Sequence, residues 1–154
     1  MKIDLTLKIT LEYTERKGIV FDVRNIRNRD IDTTDIDLDE VSENMFVAFC
    51  TGFIEDEGYG TPRYFSEHPQ LSNELLEALL NKGISIIGID FAGVRRGKEH
   101  TPMDQHCADH GIFIIENLCN LDKLLIVDHT FKANTYPVNY AGMTGLPCRV
   151  IADV

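Results

Sequence analysis

Two nearly continuous apolar runs constrain this chain most. Residues 84–90 read Ile-Ser-Ile-Ile-Gly-Ile-Asp, and residues 112–115 read Ile-Phe-Ile-Ile. Neither alternates between apolar and polar positions, as a strand with one wet face would. A strand apolar throughout is covered on both faces, which calls for helices packed against a sheet. The remaining signals fit such an α/β domain. Residues 18–23 and 45–50 are short runs rich in β-formers. Ser72 is placed to cap a helix, Leu75, Leu76, Leu79 and Leu80 form one stripe, and Gly83 supplies the stop. Thr101 and Pro102 read as the cap and first position of a second helix ending near His110. Residues 130–136 and 148–152 read as late strands. Strands and helices thus alternate from residue 45 onward.

The 154 residues fit one domain, 1–154. Lys and Arg number 15 against 25 Asp and Glu, a net charge of −10. That balance argues against nucleic acid and against anionic membrane surfaces as partners. No apolar run approaches the roughly 20 residues of a membrane span, and the start, Met1-Lys2-Ile3-Asp4, is no signal peptide. Cys50, Cys107, Cys119 and Cys148 are scattered without a C-x-x-C pair, which points to reduced, buried thiols and a cytoplasmic location. Seven carboxylates and no basic residue lie between positions 30 and 43. With Ile31, Ile36, Leu38 and Val41 interleaved, this stretch reads as a solvated loop with a short helix. It lacks the spacing of a calcium loop.

Phosphate-binding, dinucleotide-binding and G-x-S-x-G motifs are absent. Residues 90–121 concentrate the chemistry. His106 and His110, four apart, share a helix face but lack the Glu of a zinc-protease motif, so a solvated helix end accounts for them better than a metal site. His100 and Asp104 are also four apart and fall roughly opposite His106. Asp104, three residues after Thr101, also suits a capping-box pair. Glu116 ends an apolar strand, where α/β sheets place ligands, though a surface Glu at a strand end looks the same. Glu55, Asp56, Tyr59, Arg63, Arg95 and Arg96 are candidates for a pocket wall, and equally for ordinary surface.

Residues 84–121 resemble the cyclase family, which includes bacterial kynurenine formamidase. The resemblance is carried by the run from Gly83 to Asp90 and by Gly111-Ile-Phe-Ile-Ile-Glu116-Asn-Leu-Cys-Asn-Leu121. Thr51-Gly52-Phe53, Tyr64-Phe65-Ser66-Glu67-His68-Pro69 and the segment from Gly145 to Ala152 add to it, and Ile3-Asp4-Leu5-Thr6 looks like the family's first strand. The resemblance implies a swivelling β/β/α domain. It also implies a metal-dependent hydrolase of non-peptide C–N bonds, an arylformamidase-like enzyme with a place in tryptophan catabolism. Zinc or manganese as cofactor, a small amide or formamide substrate and a homo-oligomeric state follow from the same likeness.

The family's signature, H-x-T-H-x-D-A-P-x-x-H, is absent, and the first histidine is His68. The chain reads as though a long segment were missing between about Thr10 and Lys17, so the N-terminal third is truncated or internally deleted. Glu116 matches a family metal ligand. Twelve residues before it the family has His where this chain has Asp104, and His100 lies one helical turn earlier. Glu116, Asp104 and His100 are therefore the implied metal ligands, and no catalytic residue is assigned. The alternative is an inactive remnant or a non-catalytic partner subunit. Strands lost with the missing segment would leave open edges, so self-association is expected.

Overall fold

The computed structural model describes residues 13–138, 140, 143 and 145–154. Among these residues six strands form one sheet: β1 Glu15–Asp22, β2 Phe46–Cys50, β3 Ile86–Ile89, β4 Phe113–Ile115, β5 Thr130–Pro137 and β6 Cys148–Asp153, in the order β4-β3-β2-β1-β5-β6. β1 to β4 are mutually parallel, while β5 runs antiparallel to β1 and β6 antiparallel to β5. The helices are α1 Phe53–Glu57, α2 Pro62–Ser66, α3 Asn73–Asn81, α4 His100–Asp109 and α5 Leu121–Val127. The expected α/β architecture is present. Among the described residues no helix is long and apolar enough to cross a membrane.

The apolar runs explain the layering. In β2, Val47 and Phe49 point into one core with Leu75, Leu76 and Leu79 of α3 and Cys107 of α4. Phe46, Ala48 and Cys50 point into the other, with Leu121, Phe131 and Ala133. Both faces of this strand are covered, so no position can be polar. Ser72 caps α3 as read from the sequence, its Oγ accepting from the Leu75 N–H at 3.0 Å. The acidic stretch forms two 3-10 turns, Thr33–Asp35 and Leu38–Glu40. Asp32 and Asp37 cap them, while Ile31 and Val41 turn inward.

Three expectations need correction. α4 begins at His100, with Glu99 at the cap position. A 3-10 turn at Gly97–Glu99 runs straight into it, and Pro102 falls in the first turn, where a missing N–H costs nothing. Asp104 therefore closes no capping box with Thr101. β4 is an edge strand among the described residues, with Phe113 46% exposed, rather than a strand covered on both sides. Cys50 and Cys107 are buried, but Cys119 is exposed and Cys148 half-buried; all four are free thiols. The helices α1, α2 and α5 escaped the sequence reading because five to seven residues are too few to show a stripe. The opening strand at Ile3–Thr6, and the proposed gap as far as residue 12, lie outside the described residues.

Candidate metal centre

β4 lies parallel to β3, so its carboxyl end, and Glu116 after it, opens at the same sheet edge as Asp90 after β3. α4 is the connection between these two strands. Its first turn passes over that edge, and a four-residue spacing puts His100 and Asp104 on the face turned to it. His100 Nε2 stands 3.0 Å from Asp104 Oδ2 and 3.2 Å from Glu116 Oε1. One donor atom from each of the three lies within 4.8 Å of the other two. Donor atoms bound to one ion at roughly 2.0–2.2 Å are themselves about 3 Å apart, so the spacing suits a shared cation.

The electrostatics point the same way. Burial raises the Asp104 carboxyl above its ordinary value, against the pull of His100. Burial also raises Glu116; His100 pulls it down and Asp104 pushes it up. Two carboxylates thus share one imidazole, in a setting that disfavours their charges. A cation would relieve that cost. The other oxygen of Asp104, Oδ1, is buried without a hydrogen-bond partner among the described residues, a rare state for a carboxylate oxygen. Gly93 shapes the other side of the imidazole. It has φ +138°, and a Cβ there would stand 2.9 Å from His100 Cε1. Only glycine combines that backbone with the close approach.

The triad forms part of the wall of a cleft of about 1050 Å³. Ile114 and Ile115 of β4 and Thr101, Gln105 and Ala108 of α4 line it, and Met143, Leu146 and Pro147 belong to the segment leading into β6. None of the described lining residues is Lys or Arg. The sequence candidates elsewhere lie apart from it. His106 pairs with Glu77 at 2.9 Å, and His110 Nδ1 meets the His106 carbonyl at 2.8 Å, on an exposed face. Arg95 is held by Asp30 and Glu99, Arg63 by Glu57 and Glu67, and Asp56 by Arg27. Glu55 accepts from the Asn120 N–H. These groups, Tyr59 and Arg96 are absent from the cleft wall.

Two polar groups near this edge were missed. Asp90 is 1% exposed and accepts from Thr51 N–H, Thr51 Oγ1 and Gly52 N–H at 2.8, 2.5 and 2.7 Å. The buried Tyr64 donates to Asn117 Oδ1 at 2.8 Å. A carboxylate closing an apolar run was the available signal for Asp90, the same one that marked Glu116. Nothing local marked Tyr64.

Residues 3–95, more than half of the chain, match the family model described as "Putative cyclase", and the chain belongs to the cyclase family. The match ends before His100, so the three site residues lie beyond it. No curated protein matches by sequence. Among solved structures, one described as a potential metal-dependent hydrolase with cyclase activity is similar at 24% identity and TM-score 0.73, over 94% of this chain and 68% of that one. A predicted metal-dependent hydrolase from Bacillus stearothermophilus is similar at 25% identity and TM-score 0.73, over 94% and 66%. Isatin hydrolase A from Labrenzia aggregata is similar at 20% identity and TM-score 0.76, over 94% and 63%. The chain spans about two thirds of the length of these structures.

Proposed function

We propose that this chain is a metal-dependent hydrolase of non-peptide C–N bonds, with His100, Asp104 and Glu116 holding a divalent ion. The observation that carries the reading is the convergence of these three donors in a cleft wall, with Asp104 Oδ1 buried and unpartnered among the described residues. Three protein ligands and an open side are what a catalytic ion requires. Two carboxylates and an imidazole suit manganese as well as zinc. Bound there, the ion would supply the Lewis acidity that amide hydrolysis needs.

The cleft speaks to the substrate class. Ile114, Ile115, Leu146 and Pro147 would hold an apolar ring and keep water from it. With no cation among the described lining residues, a neutral aryl amide, either a lactam or an N-formyl arylamine, fits better than an acidic substrate. An isatin-type lactam and a kynurenine-formamidase-like formamide are the two forms to compare.

The test is a manganese titration of metal-stripped protein, followed by electron paramagnetic resonance. One ion per chain is expected, with affinity at least ten-fold weaker in Glu116→Ala. Hydrolysis of a lactam and of an N-formyl arylamine is then assayed on the loaded protein. Absence of binding would overturn the reading. It would favour a non-catalytic family member, for which the missing histidine-rich signature already argues.

A further inference from the structure

We propose that Tyr64 is a positioning residue for Glu116, acting through Asn117; the inference rests on the reading of Glu116 as a site residue. Tyr64 belongs to α2, far from β4 in sequence, yet its side chain is 0% exposed. The ring is clamped by three aromatic neighbours. Phe53 stacks on it at 5.7 Å and 25°, and Tyr59 and Phe65 meet it edge-on at 5.5 and 5.4 Å. This fixes where the hydroxyl points, and it donates to Asn117 Oδ1 at 2.8 Å.

Asn117 directly follows Glu116 and lies at φ +60°, the left-handed region that asparagine enters more readily than other residues with a side chain. Its N–H reaches the Phe91 carbonyl at 3.2 Å, and the Leu118 N–H reaches Ile89 at 2.9 Å. Backbone bonds thus tie the turn to the end of β3. The side-chain amide ties it to α2. Glu116 leaves the sheet edge immediately before this turn, so the turn's orientation sets where its carboxylate lies relative to His100. Groups that orient a ligand in this way commonly change metal affinity 10- to 100-fold when removed.

The experiment uses the whole chain and two readouts. The first is the His100 Cε1–H resonance in metal-free protein, with Glu116→Gln as the reference for a lost contact. Tyr64→Phe and Asn117→Gly should each move that resonance toward the Glu116→Gln position, and the double variant should move it no further. The second is manganese affinity, expected about ten-fold weaker in each. An unmoved His100 resonance in folded Tyr64→Phe and Asn117→Gly overturns the proposal, since a purely structural role would lower thermal stability alone. Asn117→Gly decides the matter if Tyr64→Phe does not fold. Failure of the wild type to bind manganese overturns the metal reading separately, and the resonance still decides the role of Tyr64.

Discussion

Asp90 shows how a single side chain trades solvation for order. Its carboxyl organises the turn from β2 into α1 by accepting three hydrogen bonds. Burial outweighs them and pushes it up to about 6. Glu55 adds to the rise. The other ionisable neighbours, Cys50 and Tyr64, are themselves pushed up by burial, Cys50 to about 12, and stay neutral. Between about pH 4 and 6 the folded state keeps a proton that the unfolded chain has lost. Stability contributed by this group is therefore present at low pH and falls as pH rises, by about 3 kcal/mol at neutrality. Urea unfolding at pH 4 and pH 7 should show that slope in the wild type, and Asp90→Asn should flatten it. Asp90→Ala leaves the Thr51 and Gly52 N–H groups unpaired and should cost about 2–4 kcal/mol at pH 4, and clearly less at pH 7, where the wild type has lost the contribution of the protonated carboxyl.

Among the elements, α3 best displays the link from spacing to energy. Leu75, Leu76 and Leu79 are 0% exposed, while Leu80, beside them in sequence, is only partly buried. The stripe is one-sided because 3.6 residues make a turn. Leu79→Ala should cost about 2–5 kcal/mol by urea denaturation, for the lost burial plus the cavity. Leu80→Ala should cost clearly less. β1 makes the converse point, that a small residue is required. A Cβ at Gly18 would stand 2.5 Å from the Phe131 ring, so this position is reserved by the aromatic on β5. Periodicity exposed the stripe of α3, but no local pattern could reveal a contact across two strands.

At the scale of the molecule, the sheet ends in two open strands among the described residues, β4 and β6. Phe113 on the first and Ile151 on the second are 46% and 47% exposed, and Ile126, Val127 and Val154 are 81%, 67% and 71% exposed. Unpaired strand edges beside apolar side chains are templates for association. Sedimentation velocity across a concentration series should show assemblies larger than a 17.5 kDa monomer. A single monomeric species at the highest concentration would contradict this. Ile151→Lys, on the β6 edge, should shift the distribution toward monomer.

The sequence alone determined the layers of this protein and the residues at its centre. The apolar runs at 46–50 and 86–89 mean strands covered on both faces, and a leucine stripe means a helix lying on them, whereas the run at 112–115 gave no sign that its strand would stand at the sheet edge. A carboxylate closing an apolar run, Glu116, marks the end of the strands where α/β proteins hold ligands. Asp104 and His100 were legible as partners because four residues make about one helical turn. Only the tertiary structure decided that all three meet, since that depends on where α4 crosses the edge of β4, and on the Gly93 backbone that leaves room for the imidazole. Only it could place Tyr64, 53 residues away, against Asn117. Local pattern reports the direction in which a side chain leaves its own element, whereas a site is a meeting of several elements, set by how the sheet and helices pack.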